Sequence, residues 1–302
     1  MRKKQTCEKE ENGREAKRIK KIQSFKRPPL GMGLLILFAL CLLAGIRYGD
    51  RVIRRLRLDP PIRPLPVLMY HNIVSDGKET NEMTVTVSKL REDFAYLRDR
   101  GYTPILPREL IAGELLSGEP LPDKPILITF DDGYVSNYIL LFPLLKEYGF
   151  KAVISPIVSL ADWWDDGFCS WPMYREMAAS GLVEIGSHTY NLHNPDHGGN
   201  YAPGEANGVQ RRNGESGADF QSRVLEDIQK SYERIAEELG TPPVCFAYPF
   251  GATDPDADRL IDELFPLSLA TLSGSADLYY GTARLPRWTV TMNDPLENVL
   301  KE

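Results

Sequence analysis

The residues best suited to chemistry are two histidines near the middle of the chain. The protein has four histidines in 302 residues, and two of them, His188 and His193, stand five positions apart after an apolar run at residues 182–186. Side chains on one face of a helix are three or four positions apart, so this spacing favours a turn that follows a strand. Each histidine alone is explained as readily by a role in the core or in a loop.

Two adjacent carboxylates form the second candidate group. Asp131 and Asp132 follow the apolar run at residues 126–130 and precede Gly133. Neighbouring side chains of an extended chain point in opposite directions, so one carboxylate can bind a metal while the other acts as a base. The alternative is a turn with solvated carboxylates. One carboxylate and two imidazoles together give the open three-ligand site that is typical of hydrolytic zinc centres.

Other polar or aromatic residues also stand where predicted strands end. His71 follows the apolar run that begins at Val67, and Tyr248 and Phe250 follow the run at residues 244–247. The carboxyl ends of parallel strands meet at one rim of a barrel, and this rim is where catalytic residues gather. We therefore expect these side chains to share one site with the histidines and the carboxylates.

The chain after residue 66 alternates short apolar runs with helical patterns. We predict helices near residues 87–100, 138–148, 171–180 and 219–239. We predict strands at residues 67–70, 103–106, 126–130, 152–157, 183–187, 244–247, 267–270 and 285–290. This alternation predicts an α/β fold with a parallel sheet, and the number of units suits a barrel. The Gly/Asn-rich stretch at residues 194–217 is too long for a plain connector, which indicates an active-site loop or a segment without fixed structure.

The charge is unevenly distributed along the chain. Residues 1–58 have a net charge of +11, and the remainder has −17, which together give the overall −6. An acidic body argues against nucleic acid as a substrate.

The basic head contains a charge-free apolar run at residues 30–46 with basic residues on both sides. A run that is apolar on every face indicates a single N-terminal transmembrane helix, although a cleaved signal peptide has a similar short apolar core. We expect a basic cytoplasmic tail (1–29), an anchor (30–46), a linker (47–66) and an extracytoplasmic catalytic domain (67–302) at the cell membrane. Cys169 and Cys245 would both lie outside, and the sequence leaves open whether they form a disulfide.

The runs LITFDDGY, SHTYNLH and FAYPFG, in this order, resemble the polysaccharide deacetylases of the NodB-homology type, carbohydrate esterase family 4. The resemblance covers residues 67–290 and implies a distorted (β/α)7-type barrel. It also implies that Asp131 is the general base. Asp132, His188 and His193 would then bind a divalent metal, with zinc expected and cobalt or nickel as alternatives.

The histidine spacing of five and the opening run VLMYH look more like the branch that deacetylates poly-N-acetylglucosamine. The resemblance thus implies hydrolysis of N-acetyl groups from an acetylated polysaccharide, with a backbone N–H near Phe250 stabilising the oxyanion. Deacetylation of N-acetylglucosamine or N-acetylmuramic acid in peptidoglycan is the runner-up. A non-catalytic glycan-binding barrel is the alternative from another class.

The sequence departs from the family at two places. Ala247 stands where the family commonly has an arginine that orients the catalytic aspartate, and Arg287 could supply a guanidinium from another direction. A surface salt bridge would explain Arg287 equally well. The family's late histidine is also missing, since no histidine follows His197. His71, on a rigid strand end, is then our candidate for the acid that protonates the leaving amine. The alternative is that His71 only hydrogen-bonds the neighbouring strand end or a substrate hydroxyl.

Two tryptophans lie between the first two motifs. Trp163 and Trp164 could stack on sugar rings, although packing beneath a loop would explain them equally well.

Overall fold

The structure is a computed structural model that describes residues 64–112, 121–193 and 207–300. The predicted tail and anchor, most of the linker and most of the Gly/Asn-rich stretch lie outside the described residues. No helix in the described part combines the length and the apolar character that crossing a bilayer requires.

Strands occur along the whole described part of the chain. They are β1 (Val67–Tyr70), β2 (Asn72–Val74), β3 (Thr84–Thr86), β4 (Thr103–Pro104), β5 (Pro125–Asp132), β6 (Ala152–Pro156), β7 (Val183–Ile185), β8 (Cys245–Ala247), β9 (Leu267–Leu269) and β10 (Trp288–Thr289).

The strand pairs are parallel throughout, which confirms the predicted α/β fold with a parallel sheet. The main sheet has the order β10-β1-β5-β6-β7, with β4 on the first residues of β5, and β8 pairs with β9. Single parallel bridges join Ser187 to Phe246 and Leu269 to Leu285. These bridges connect the two sheets at both edges, so that β1 and β5–β10 form a ring.

Helices separate most of these strands in the chain. They are α1 (Val87–Asp99), α2 (Pro107–Ile111), α3 (Phe142–Tyr148), α4 (Val158–Asp162), α5 (Trp171–Ala179), α6 (Gly217–Leu239), α7 (Pro255–Leu264) and α8 (Leu296–Val299). A π-helical turn, Asn137–Leu141, leads directly into α3.

The strands bury side chains on both of their faces. Alternate residues of a strand point to opposite sides. On β5, Leu127 belongs to a cluster made largely of strand residues from around the ring, whereas Ile128 belongs to the cluster formed with the surrounding helices. Asp131 is four positions after Leu127 and lies on the same, inward side. The alternation that builds the core therefore also directs Asp131 into the mouth of the barrel.

Candidate active site

Asp131 and Arg287 form a buried ion pair at the mouth of the barrel. The guanidinium donates from Nη1 to Oδ1 at 2.9 Å and from Nη2 to Oδ2 at 2.7 Å. Its Nε donates to the Ala270 carbonyl oxygen at 2.8 Å, and the Arg287 side chain is fully buried. Burial raises the pKa of Asp131, but the charge of Arg287, its hydrogen bonds and the nearby imidazoles of His188 and His71 together outweigh this effect and hold the pKa well below its ordinary value. Asp131 is therefore ionised at physiological pH.

Asp132 turns away from its neighbour because the backbone changes direction here. Its φ is +70°, and Gly133 follows with φ +82°. A Cβ on Gly133 would lie 2.2 Å from the Tyr174 hydroxyl oxygen, so only glycine fits this turn. Asp132 Oδ1 is buried and has no hydrogen-bond partner among the described residues.

His188 is fixed by the strands on either side of it. Its backbone N–H donates to the Pro156 carbonyl oxygen at 3.0 Å, and its Nδ1 lies 2.8 Å from the Ala247 carbonyl oxygen. A proton on Nδ1 leaves the Nε2 lone pair free, and Nε2 is 3.5 Å from Asp132 Oδ1. Burial lowers the pKa of His188 to about 3, so the imidazole is neutral, as a metal ligand must be.

His193 reaches the same carboxylate from the far end of a turn. Its Nε2 lies 3.4 Å from Asp132 Oδ1, and the Phe250 ring stacks on the imidazole with centroids 4.4 Å apart. Thr189 has φ +71°, and its Oγ1 accepts a hydrogen bond from the Leu192 N–H at 3.1 Å. This turn after β7 accounts for the spacing of five residues between the histidines.

The three side chains Asp132, His188 and His193 fit a metal ion. One ligand atom from each lies within 4.8 Å of the other two. Burial raises the pKa of Asp132 to about 6 and lowers that of His193 to about 4, so without a cation burial disfavours the charged form of each group. A divalent cation would satisfy the unpartnered carboxylate oxygen and both imidazoles at once.

These groups open onto one cavity of 780 Å³. It is lined by Met69, His71, Asn81, Glu82, Met83, Asp131, Asp132, Tyr134, His188, His193, Tyr248, Phe250, Thr271 and Thr289. The cavity thus brings together residues predicted from four distant segments: the two carboxylates, the histidine pair, His71, and Tyr248 with Phe250. Arg287 reaches the cavity only through Asp131.

Two of the predicted substrate residues face the cavity in different ways. The hydroxyl of Tyr248 donates to Asp258 at 2.9 Å, so it is already engaged, and the residue is fully buried. Phe250 is 39% exposed and has φ +58°. It can therefore present its ring to a bound ligand as well as to His193.

Trp163 and Trp164 do not line this cavity. They are 57% and 78% exposed, on the loop that follows α4. That loop is joined to the Asp-Asp-Gly motif by the hydrogen bond from the Cys169 N–H to the Gly133 carbonyl oxygen, at 2.9 Å. The tryptophans are thus attached to the catalytic rim but lie outside the cavity. The two cysteines, Cys169 and Cys245, are both buried free thiols and form no disulfide.

Several residues that line the cavity were not predicted from the sequence. Tyr134 lies beside Asp132, and burial together with that carboxylate raises the pKa of its hydroxyl. The position of Tyr134 directly after Asp-Asp-Gly could have indicated that it belongs to the site. Asn81, Glu82 and Met83 come from the connection between β2 and β3, and no residue pattern marks that segment as part of a site.

Comparison with known proteins agrees with this geometry. The family model described as "Polysaccharide deacetylase" matches residues 118–264. Residues 118–264 therefore belong to a polysaccharide deacetylase domain.

Two relatives of known name are similar to this chain in sequence. The chain is similar to the poly-beta-1,6-N-acetyl-D-glucosamine N-deacetylase of Escherichia coli K12, with 32% identity over 203 residues, which cover 61% of this chain and 30% of the relative. It therefore spans less than a third of that relative's length. The protein of the same name from Staphylococcus aureus MSSA476 is 21% identical over 235 residues, 75% of this chain and 74% of the relative.

Solved structures show the same fold. A de-N-acetylase from Aggregatibacter actinomycetemcomitans superposes with a TM-score of 0.67 at 27% identity, covering 78% of this chain and 98% of that one. The BpsB deacetylase domain from Bordetella bronchiseptica gives 0.61 at 28% identity, covering 77% and 98%.

Proposed function

We propose that the protein removes N-acetyl groups from an envelope or extracellular N-acetylhexosamine polysaccharide of the poly-N-acetylglucosamine type, by metal-dependent hydrolysis that gives free amine and acetate. The observation that carries this proposal is the meeting of the Asp131–Arg287 pair with Asp132, His188 and His193 in one cavity. The names of the relatives from Escherichia coli and Staphylococcus aureus support this class of polymer.

Asp132, His188 and His193 would hold the divalent cation, for which zinc is the expected ion and cobalt or nickel the alternatives. When bound, such a cation polarises the acetamide carbonyl and lowers the pKa of a water molecule toward about 7. Two imidazole nitrogens and one carboxylate oxygen would leave room at the cation for this water and for the substrate, as in catalytic zinc sites.

Asp131 would accept the proton of the attacking water. Arg287 keeps this carboxylate ionised and holds both of its oxygens in one orientation. The low pKa makes Asp131 a weak base, so its contribution depends on water that is already acidified and correctly placed. We expect a backbone N–H near Phe250 to donate to the oxyanion, and the Tyr248 and Phe250 rings to form the wall against the acetyl group.

His71 would protonate the departing sugar amine. It lies between β1 and β2, it lines the cavity, and its positive charge when protonated would lower the pKa of both aspartates. The Asn137 side-chain amide donates to its carbonyl oxygen at 3.1 Å, which fixes the backbone from which the imidazole extends. Trp163 and Trp164 would contact sugar units farther along the polymer, since they lie beyond the cavity.

The experiment is a panel of acetylated oligosaccharides, incubated with the purified 67–302 domain and zinc, cobalt or nickel, with detection of free amine. We expect amine release from β-1,6-linked N-acetylglucosamine oligomers. Release only from peptidoglycan fragments would replace the substrate with N-acetylglucosamine or N-acetylmuramic acid of the cell wall. Binding without release from any oligomer would contradict hydrolysis and favour a non-catalytic glycan-binding barrel.

We also propose that residues 30–46 anchor the domain in the membrane with the catalytic body outside. The charge-free apolar run behind a basic head supports this proposal. An envelope polysaccharide would then be within reach of the cavity.

A further inference from the structure

We propose that Asp227, on α6, is a positioning residue that places His193 for metal binding. The proposal rests on the function proposed above and assigns a task to a carboxylate that lies outside the catalytic cavity. Asp227 Oδ1 accepts a hydrogen bond from the Tyr190 N–H at 2.7 Å, and its Oδ2 accepts one from the Asn191 N–H at 2.8 Å. Both amides belong to the turn between the two histidine ligands.

The two histidines are held by different parts of the fold. His188 is fixed by strands through Pro156 and Ala247, as described above. His193 comes five residues later, and its side chain contacts Asp132, the Phe250 ring and the His188 ring, all of which belong to the site itself. The position of His193 therefore depends on how firmly the turn between them is held.

Two successive backbone N–H groups that point to the same side form a small anion-binding concavity. Asp227 fills it with one oxygen for each N–H, which a neutral amide side chain cannot do. The contact is charge-assisted on both bonds and has a defined geometry. The chain around Tyr190 is thereby fixed at the midpoint of the turn.

The same face of α6 holds the Tyr190 side chain as well. Lys230 Nζ lies 3.7 Å from the centre of the Tyr190 ring, and the Tyr190 hydroxyl donates to Asp162 at 3.2 Å. Arg234 in turn donates to Asp162 at 2.8 Å. Asp227, Lys230 and Arg234 are three and four positions apart, so they share one helix face.

The adjoining apolar side of α6 makes this face a rigid support. Phe220, Val224 and Ile228 are fully buried in the cluster that also contains Leu192 of the turn. The helix thus packs against the turn through Leu192 while it accepts the two N–H groups through Asp227. Residues that orient metal ligands from outside typically change metal affinity by about 10–100-fold when they are replaced.

The test compares Asp227→Asn with Glu226→Gln in the full-length protein. Both variants lose one negative charge at adjacent positions of α6. The exposed Glu226, however, makes no hydrogen bond or ion pair with the described residues. Cobalt binding is measured by titration of the metal-free protein below its unfolding temperature. We expect the Kd of Asp227→Asn to rise about 10–100-fold and that of Glu226→Gln to stay within about twofold of the original.

A second readout needs no metal. In metal-free Asp227→Asn, the amide hydrogens of Tyr190 and Asn191 should exchange faster with solvent, whereas that of Ile154 on β6 should not. Asp227→Glu keeps a carboxylate, so it should lose less cobalt affinity than Asp227→Asn. If Asp227→Asn fails to fold, Asp227→Glu takes its place in the test.

The outcomes separate this inference from the proposed function. If the unchanged full-length protein binds no cobalt and releases no amine, the proposed function fails. If it binds cobalt, an Asp227→Asn protein that is less stable but keeps the original Kd overturns the positioning role alone. Unchanged exchange at Tyr190 and Asn191 would overturn it as well.

Discussion

At the residue scale, the central feature is a charge pair that the protein buries completely. Burying two charges is costly and is offset only when the pair is well aligned and fully hydrogen-bonded. Arg287 meets that condition, with two bonds to Asp131 and one to the Ala270 carbonyl oxygen. The pair therefore orients Asp131 and lowers its pKa in a single arrangement.

Replacing Arg287 with lysine tests this arrangement. Lysine keeps a charge but cannot make the two-pronged contact, so Asp131 should be misplaced and its pKa should rise. We expect kcat/KM for amine release to fall about 100-fold. The acidic limb of the pH profile should move to higher pH, because a base of higher pKa loses activity at higher pH.

The control is Arg259→Lys, which changes an arginine that is paired with Asp256 on the surface. It should leave the pH profile where it was. An Arg287→Lys enzyme with an unshifted acidic limb would show that Arg287 does not act through Asp131.

A second residue-scale prediction concerns His71. If this histidine protonates the leaving amine, His71→Ala should lower kcat on an N-acetyl sugar by about 10²–10⁴-fold. An activated acetate ester, whose leaving group needs no proton, should lose far less. His197→Ala is the matched change at the other histidine outside the ligand set. Equal losses on the amide and the ester would mean that His71 binds or positions the substrate and that the acid lies elsewhere.

At the element scale, the sequence predicted the strands that carry the motifs better than it predicted the short helices. The ends of β5 and β7 lie within about two residues of the predictions, because buried β-branched runs mark them. The five-residue helices α2 and α4 were missed, since such short segments carry no periodic pattern. Helix α7 was missed despite two signals: Asp254 caps it by accepting from Asp256 N–H, and Pro255 is its first residue.

Pairing between distant segments could not be predicted from local patterns. The predicted strand at residues 285–290 reduces to Trp288–Thr289, because the Arg287 N–H pairs instead with the Leu272 carbonyl oxygen. The same irregular stretch lets the Arg287 side chain enter the barrel. Its contact with Asp131 spans 156 positions in sequence and depends on the closed ring.

Strand β7 yields a prediction about stability. Glu184 is buried, and its Oε1 has no hydrogen-bond partner among the described residues, although Arg108 Nε is 3.5 Å away. Burial raises the pKa of Glu184 to about 7, against the opposing charge of Arg108. Because the folded-state pKa is above that of the unfolded chain, ionisation destabilises the fold increasingly as the pH rises from about 4.5 to about 7.

Glu184→Gln should therefore raise the unfolding temperature by several degrees at about pH 8.5 and by less at about pH 5, since about 1 kcal/mol shifts the Tm of a domain of this size by about 2–4 °C. Thermal unfolding followed by circular dichroism measures this. Glu147→Gln is the control, because Arg91 lowers the pKa of that exposed carboxyl and its removal should give no gain. An equal effect of Glu184→Gln at both pH values would contradict the burial argument.

At the scale of the whole molecule, the prediction of a membrane anchor rests on sequence features outside the described residues. The contrast between a +11 head and a −17 body, and the charge-free run at residues 30–46, predict an anchored extracytoplasmic enzyme. Protease added to intact cells should remove the catalytic domain and leave the basic tail inside. A domain that is protected until the cells are lysed would contradict this topology, and a mature chain that begins after residue 44 would indicate a cleaved signal peptide.

The central claim is that two adjacent aspartates have different roles: Asp131 is the general base and Asp132 is a metal ligand. The measurement that tests it most directly is metal content and amine release on the same samples of Asp131→Asn, with His193→Ala for comparison. Asp131→Asn should keep its metal and lose about 10²–10⁴-fold in rate, because an amide cannot accept the proton of water. His193→Ala should lose most of both. An Asp131→Asn protein that loses its metal, or that keeps its full rate, would contradict the account.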